Sequence, residues 1–327
     1  LDLQNPNAPT EEQVTTSPDG VIALATGLQG RFATSYFNYA YMAGLVTDEF
    51  AATSAALISI SDAEQGAVPS GTGIADNVFN SIYRTVRTAD DLLNGANALG
   101  AQFDAGTKSG LQVLAYMLKA EALGEAIQSY QKLPIKTFGE TAPTYVTRAQ
   151  ALPYVRALLD SAVTILAATP PSAFFTTSIL TPGVSLTNTL NLLRARYARM
   201  AGDDATALAA VNLVARTGTA ALSVLTFPAP SVNPYANVTG GTNGIAVRRQ
   251  WRLSMPPEDR RFQYFVVPST TLSGRVGALL DPWNRYANPT APLPVYLPDE
   301  ALLIKAEALA NQNQLSAAQA VLDSVRT

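Results

Sequence analysis

The chain has 327 residues, 47% hydrophobic and only 14% charged, with a formal net charge of −3. It contains no histidine and no cysteine, which excludes a Ser–His–Asp triad, thiol catalysis, disulfides, and metal sites built from imidazole or thiolate. Five lysines and seventeen arginines against 25 acidic residues leave no basic field for a phosphate backbone, so no nucleic-acid partner is expected.

The first helix signal is Ser17-Pro18-Asp19, a cap, a first-turn proline and an acid at the positive end of the dipole. Val21, Ile22, Ala25, Leu28 and Phe32 follow at helical spacing. Tyr36, Tyr39 and Tyr41 are read as clustering at that helix's end, and Asp48-Glu49 as pinning a loop. A second helix is predicted from about Asp76, with Val78, Phe79, Ile82, Val86, Ala89, Leu92 and Leu93 inward; a third runs from Thr107 to Ser129. Thr147-Arg-Ala-Gln150 has the form of a capping box and opens a fourth, whose first turn Pro153 is expected to disturb. No apolar run approaches the ~20 residues of a membrane span.

Leu192–Arg216 and Leu302–Arg326 align at an offset of 110, with identities at Leu192/Leu302, Leu193/Leu303, Ala198/Ala308, Ala207/Ala317, Ala210/Ala320, Val211/Val321 and Arg216/Arg326. Each copy reads as helix, polar turn, helix, as tetratricopeptide-type pairs do. Between them, from Phe227 to Pro298, lie eleven of the 21 prolines, including Pro228 and Pro230, and both tryptophans. Long helix is excluded there. A ring-rich irregular segment of this kind is a functional loop layer or a lid on the bundle. The organisation expected is one domain over 1–327: a helical bundle at 17–216, the loop layer at 217–298 and a terminal helix pair at 299–327.

Several segments resemble the SusD/RagB family, in family order. They are Asn5–Thr10 before the first helix, Asp48-Glu49 after it, and Asn77–Arg84 with Ala89-Asp90. Ala115–Leu123 with Tyr130 and Pro134, Glu258–Arg261 around Arg260, and Tyr296–Ala308 with Ala320–Arg326 complete the set. The sequence departs from the family at Asp90, where asparagine is usual, and at Gln131, where glycine is. The resemblance implies a mainly α fold, a tetratricopeptide-like scaffold of helical pairs with long irregular loops. It implies a non-enzymatic protein without cofactor, on the extracellular face of the outer membrane, lipid-anchored through a region preceding Leu1. Its partners would be an oligosaccharide or other nutrient and a TonB-dependent barrel transporter. Family members continue past the final Val-Arg; without that region an apolar helix face would be open to another chain or a second copy.

Sugars present apolar faces to aromatic rings and hydroxyls to amides and guanidinium groups. Trp283-Asn284-Arg285-Tyr286 offers both chemistries within four residues and is the first choice of ligand platform. Trp251 between Arg249, Gln250 and Arg252 is second, and Tyr235 between Asn233 and Asn237 third. The competing reading is that these rings anchor irregular loops to the bundle. Low charge and abundant hydroxyl and amide groups suit a neutral ligand. No catalytic or metal residue is assigned: Asp203-Asp204 and Glu258-Asp259 lack the alternating spacing of a calcium loop. The rival functions are a self-assembling surface protein and a carboxylate-pair glycosidase.

Overall fold

A computed structural model describes residues 14–68, 73–137, 142–217, 222–227, 231–239, 244–259 and 261–326. The Asn5–Thr10 motif, Pro228, Pro230 and Arg260 lie outside them. Helix α1 (Pro18–Val46) is capped as the sequence predicts, with Ser17 Oγ accepting from the Gly20 N–H at 3.2 Å. Val21, Ala25, Leu28 and Phe32 are fully buried along one stripe. The helix runs on past Tyr36, Tyr39 and Tyr41, which sit inside it and not at its end. Strand β1 (Phe50–Ala52) and the short α2 (Ile58–Glu64) follow. Helix α3 (Ile74–Ala98) buries Val78, Ile82, Val86, Ala89 and Leu92. Asp104 caps α4 (Ala105–Ser129) by accepting from the Thr107 N–H at 2.8 Å.

Strands β2 (Lys132–Pro134) and β3 (Tyr145–Thr147) pair antiparallel and lead into α5 (Arg148–Ala168), which opens with the full Thr147/Gln150 capping box. Its first turn is regular despite Pro153. The missing N–H would have bonded the carbonyl of Ala149, and both residues are exposed, so water can replace the lost bond. By length and composition α5 is also the one described helix apolar enough to cross a membrane, with mean hydropathy 1.4. Arg156 and Asp160 lie within it and are ion-paired, to Asp203 and Arg194, and the helix packs on α4.

A π-helical turn (Phe175–Ile179) precedes α6 (Leu186–Met200) and α7 (Asp204–Val211). Next come β4 (Ile245–Arg248), α8 (Arg249–Leu253), α9 (Arg261–Phe265) and β5 (Leu280–Pro282). The last elements are α10 (Pro298–Asn311) and α11 (Leu315–Arg326).

The chain divides into two compact units, each discontinuous in sequence: Leu1–Phe32 with Ile82–Leu225 and Pro294–Thr327, and Ala33–Ser81 with Thr226–Leu293. The first is a stack of helices in which α4 packs on α5, α5 on α6, and α10 on both α6 and α7. Gly124 lets the fully buried Tyr197 ring against α4, and the Tyr197 hydroxyl donates to Glu121 at 2.6 Å. Arg196 donates to Glu121 at 2.5 Å and, through two nitrogens, to Glu300 at 2.6 and 2.9 Å, tying α4, α6 and α10 together.

The two repeat copies are helix–turn–helix pairs, α6/α7 and α10/α11, but their structural offset is 111, not 110. The turns show it. Asp203 N–H bonds Ala198 O as Gln314 N–H bonds Leu309 O, both at 2.9 Å, and the left-handed positions are Gly202 (φ 74°) and Asn313 (φ 60°). At 110, buried Ala207 faces exposed Ala317; at 111 it matches buried Ala318. Identity counting chose the wrong register because alanine recurs on every face of these helices.

The second unit holds the three-stranded antiparallel sheet β1-β4-β5, with Phe50 opposite Val247 and Val247 opposite Asp281. Ala51, Ala246 and Leu280 form a small core beneath Leu272 and Ala278. Glu64 fixes one edge: one oxygen accepts from the Ala52 N–H at 2.9 Å and the other from Arg248 at 2.7 Å. Arg248 also reaches Asp48, which sits at φ 63° in the role of loop-pinning residue.

Candidate ligand-binding site

The site is assembled on the second unit, from β5 outward. Asp281 of β5 is 1% exposed and accepts two bonds from Arg252, at 2.6 and 3.2 Å, and one from the Ser269 N–H at 2.9 Å. Its pull on Arg252 fixes α8 and with it Trp251. Residues 265–267 run beside 282–284: Val267 N–H bonds Pro282 O at 2.9 Å and Asn284 N–H bonds Phe265 O at 2.8 Å. That pairing stacks the Phe265 ring on Trp283, with centroids 5.7 Å apart and planes at 21°. Phe50 of β1 meets Trp283 edge-on at 5.2 Å.

Asn233 builds the floor. Its side-chain oxygen accepts from the Tyr235 N–H at 2.9 Å and its amide donates to Ala291 O at 2.7 Å, closing the 3₁₀ turn Pro234–Val238. Tyr235 stacks on Tyr286 at 5.1 Å and meets Phe37 edge-on at 4.8 Å. Burial pushes the phenol pKa of both Tyr235 and Tyr286 upward, with the Arg285 charge opposing it at Tyr286. These phenols therefore stay neutral across the physiological range.

The rim carries Trp251, 6.2 Å from Phe265, and Tyr264, 5.0 Å from Phe265 and half exposed. Arg285 lies against two rings, its guanidinium carbon 4.6 Å from the Tyr264 centroid and 5.0 Å from that of Tyr286. Asn284 is exposed beside it. Buried Nε1 of Trp283 and Nε of Arg285 have no hydrogen-bond partner among the described residues.

All six residues chosen from the sequence thus fall in one cluster, in unequal positions. Tyr235 is interior, Trp283 is ringed by four aromatic neighbours, and Trp251, Asn284, Arg285 and Tyr286 are reached by solvent. Anchoring and display coexist, with inner rings holding the loops and outer ones free to meet a ligand. Sequence reasoning missed Tyr264 and Phe265, though both lie in the ring-rich segment. It also missed Phe37 and Phe50, which come from the far end of the chain with no local signal.

No protein-family model matches this sequence and no curated protein is similar to it. Solved structures do match. A SusD superfamily protein from Bacteroides fragilis superposes with a TM-score of 0.73 at 16% identity, over 96% of this chain and 80% of that one. Surface glycan-binding protein A from Bacteroides uniformis gives 0.68 at 12% identity, over 92% and 79%. A chitin-binding protein gives 0.61 at 14% identity, over 88% and 70%. The chain has the fold of the SusD superfamily.

Proposed function

We propose that this chain is a SusD/RagB-type nutrient-binding protein of the outer-membrane surface, which captures a glycan on the Trp283 cluster and delivers it to a TonB-dependent transporter. One observation carries the reading: a stack of rings with a solvent-reached rim of Trp251, Tyr264, Asn284, Arg285 and Tyr286. That rim pairs apolar faces with amide and guanidinium donors, the chemistry a sugar requires. Glycan- and chitin-binding proteins of the same fold support it. Delivery, lipid anchoring and the transporter rest on the resemblance in sequence motifs.

Calorimetric titration with a panel of oligosaccharides tests the site. Trp251→Ala and Tyr264→Ala are each expected to weaken binding about fivefold while circular dichroism stays unchanged, since a stacked ring contributes about 1 kcal/mol. Full affinity in both variants would move the site elsewhere. Hydrolysis of any saccharide in the panel would overturn the non-enzymatic part of the proposal. A second reading, self-assembly through the helical unit, draws on Leu213, Leu303 and Leu315, which are 63%, 47% and 66% exposed. Light scattering that reports a monomer at high protein concentration would dismiss it.

A further inference from the structure

The arginines of the second unit are distributed in a way that low overall charge conceals. Residues 244–293 contain seven arginines (248, 249, 252, 260, 261, 275 and 285), no lysine, and three acids (Glu258, Asp259 and Asp281). That stretch carries 7 − 3 = +4, and the other segment of the same unit, residues 33–81, carries five acids and no base, so the unit as a whole stands at 4 − 5 = −1. Most of these cations are committed. Arg248 bonds Glu64 and Asp48, Arg252 bonds Asp281, Arg261 bonds Asp259, and Arg275 donates to the Ala56 carbonyl.

Arg285 differs. Among the described residues it has neither a carboxylate nor a hydrogen-bond partner, and what holds it is contact with the Tyr264 and Tyr286 rings. A guanidinium lying against rings keeps its N–H groups in its own plane, along its edge. The edge is a planar fork of donors spaced to match the two oxygens of a carboxylate. Here the guanidinium is held by packing and stands beside the exposed amide of Asn284 and against the Tyr264 and Tyr286 rings.

We infer that the ligand is an anionic saccharide whose carboxylate is read by Arg285, a uronate-containing or other carboxylated oligosaccharide and not a neutral one. This rests on the glycan-binding reading above and narrows it. Arg285 pairs with the carboxylate while neighbouring rings take the apolar face of the same or the adjoining sugar. The pairing of Arg285 with the carboxylate weakens as salt rises.

The test titrates the intact chain with three oligosaccharides of equal length: oligogalacturonate, a neutral gluco-oligosaccharide, and a sulfated glycosaminoglycan fragment. Oligogalacturonate is expected to bind at least tenfold more tightly than the neutral sugar at low salt. Arg285→Gln should erase that preference, Arg285→Lys should retain part of it, and Trp251→Ala should weaken both sugars alike. Thermal melts of each variant establish that it is folded. Equal affinity for acidic and neutral sugars, or an unchanged preference in folded Arg285→Gln, overturns the inference while leaving glycan binding intact. Preference for the sulfated fragment overturns the carboxylate assignment. Absence of binding to all three sinks the glycan reading and this inference with it.

Discussion

At the scale of single residues, two glycines separate backbone need from packing need. Gly27 lies on the exposed side of α1, and a Cβ built there meets nothing within 4 Å. Gly27→Ala is expected to stabilise the chain by about 0.5–1 kcal/mol, because alanine restricts the unfolded ensemble and favours helix. Gly124 on α4 is the opposite case. Its Cβ would overlap the Tyr197 hydroxyl, which is fully buried and bonded to Glu121, so neither ring nor carboxylate can retreat cheaply. Gly124→Ala should destabilise by about 1–3 kcal/mol. Urea unfolding of the two variants should show opposite signs for the same substitution; like signs would mean that the α4/α6 contact is looser than described.

At the scale of elements, α8 is too short to hold itself, and its place depends on Asp281. Asp281→Ala removes both bonds to Arg252 and the acceptor of the Ser269 N–H from a site with 1% exposure. The expected loss is about 3–5 kcal/mol, with a red-shifted tryptophan emission as Trp251 gains freedom. An unchanged spectrum would show that α8 is held by other means. The N-terminus of α7 is tied to acid. Asp203 has its carboxyl held below the usual range by bonds from the Thr206 side chain and backbone, and then by Arg156. A depressed folded pKa contributes stability above the unfolded value of about 3.9 and loses it as pH falls through the folded value. Asp203→Asn should therefore melt below the wild type at neutral pH, with the gap closing at acid pH; a gap that widened on acidification would contradict this. The elements themselves were legible wherever a local signal sufficed, as at Ser17, Thr147 and Gln150. The repeat was legible in kind and wrong in register, since the residues that set its phase are the left-handed Gly202 and Asn313, which share no identity.

At the scale of the whole molecule, motifs of the SusD/RagB type pointed to the fold, and the proline- and ring-rich stretch pointed to the ring cluster proposed as the site. Its depth did not follow from sequence. Whether Tyr235 lies inside and Tyr264 outside depends on Phe37, Phe50 and the β1-β4-β5 sheet, which come together only across long sequence separations. The seven arginines of 244–293 were readable from the beginning, but that Arg285 has rings and no carboxylate beside it among the described residues was not.

The stacking of α10 on α6 and α7 carries a consequence for how such a protein diversifies. These helices are neighbours in space, yet residues 226–293 are strung between them and belong to the other compact unit. Closing a longer loop is entropically mild, about 0.6 kcal/mol for each doubling of its length. The helical frame can therefore tolerate changes in the length of that stretch at small entropic cost, so selection can rewrite it without renegotiating the architecture that carries it.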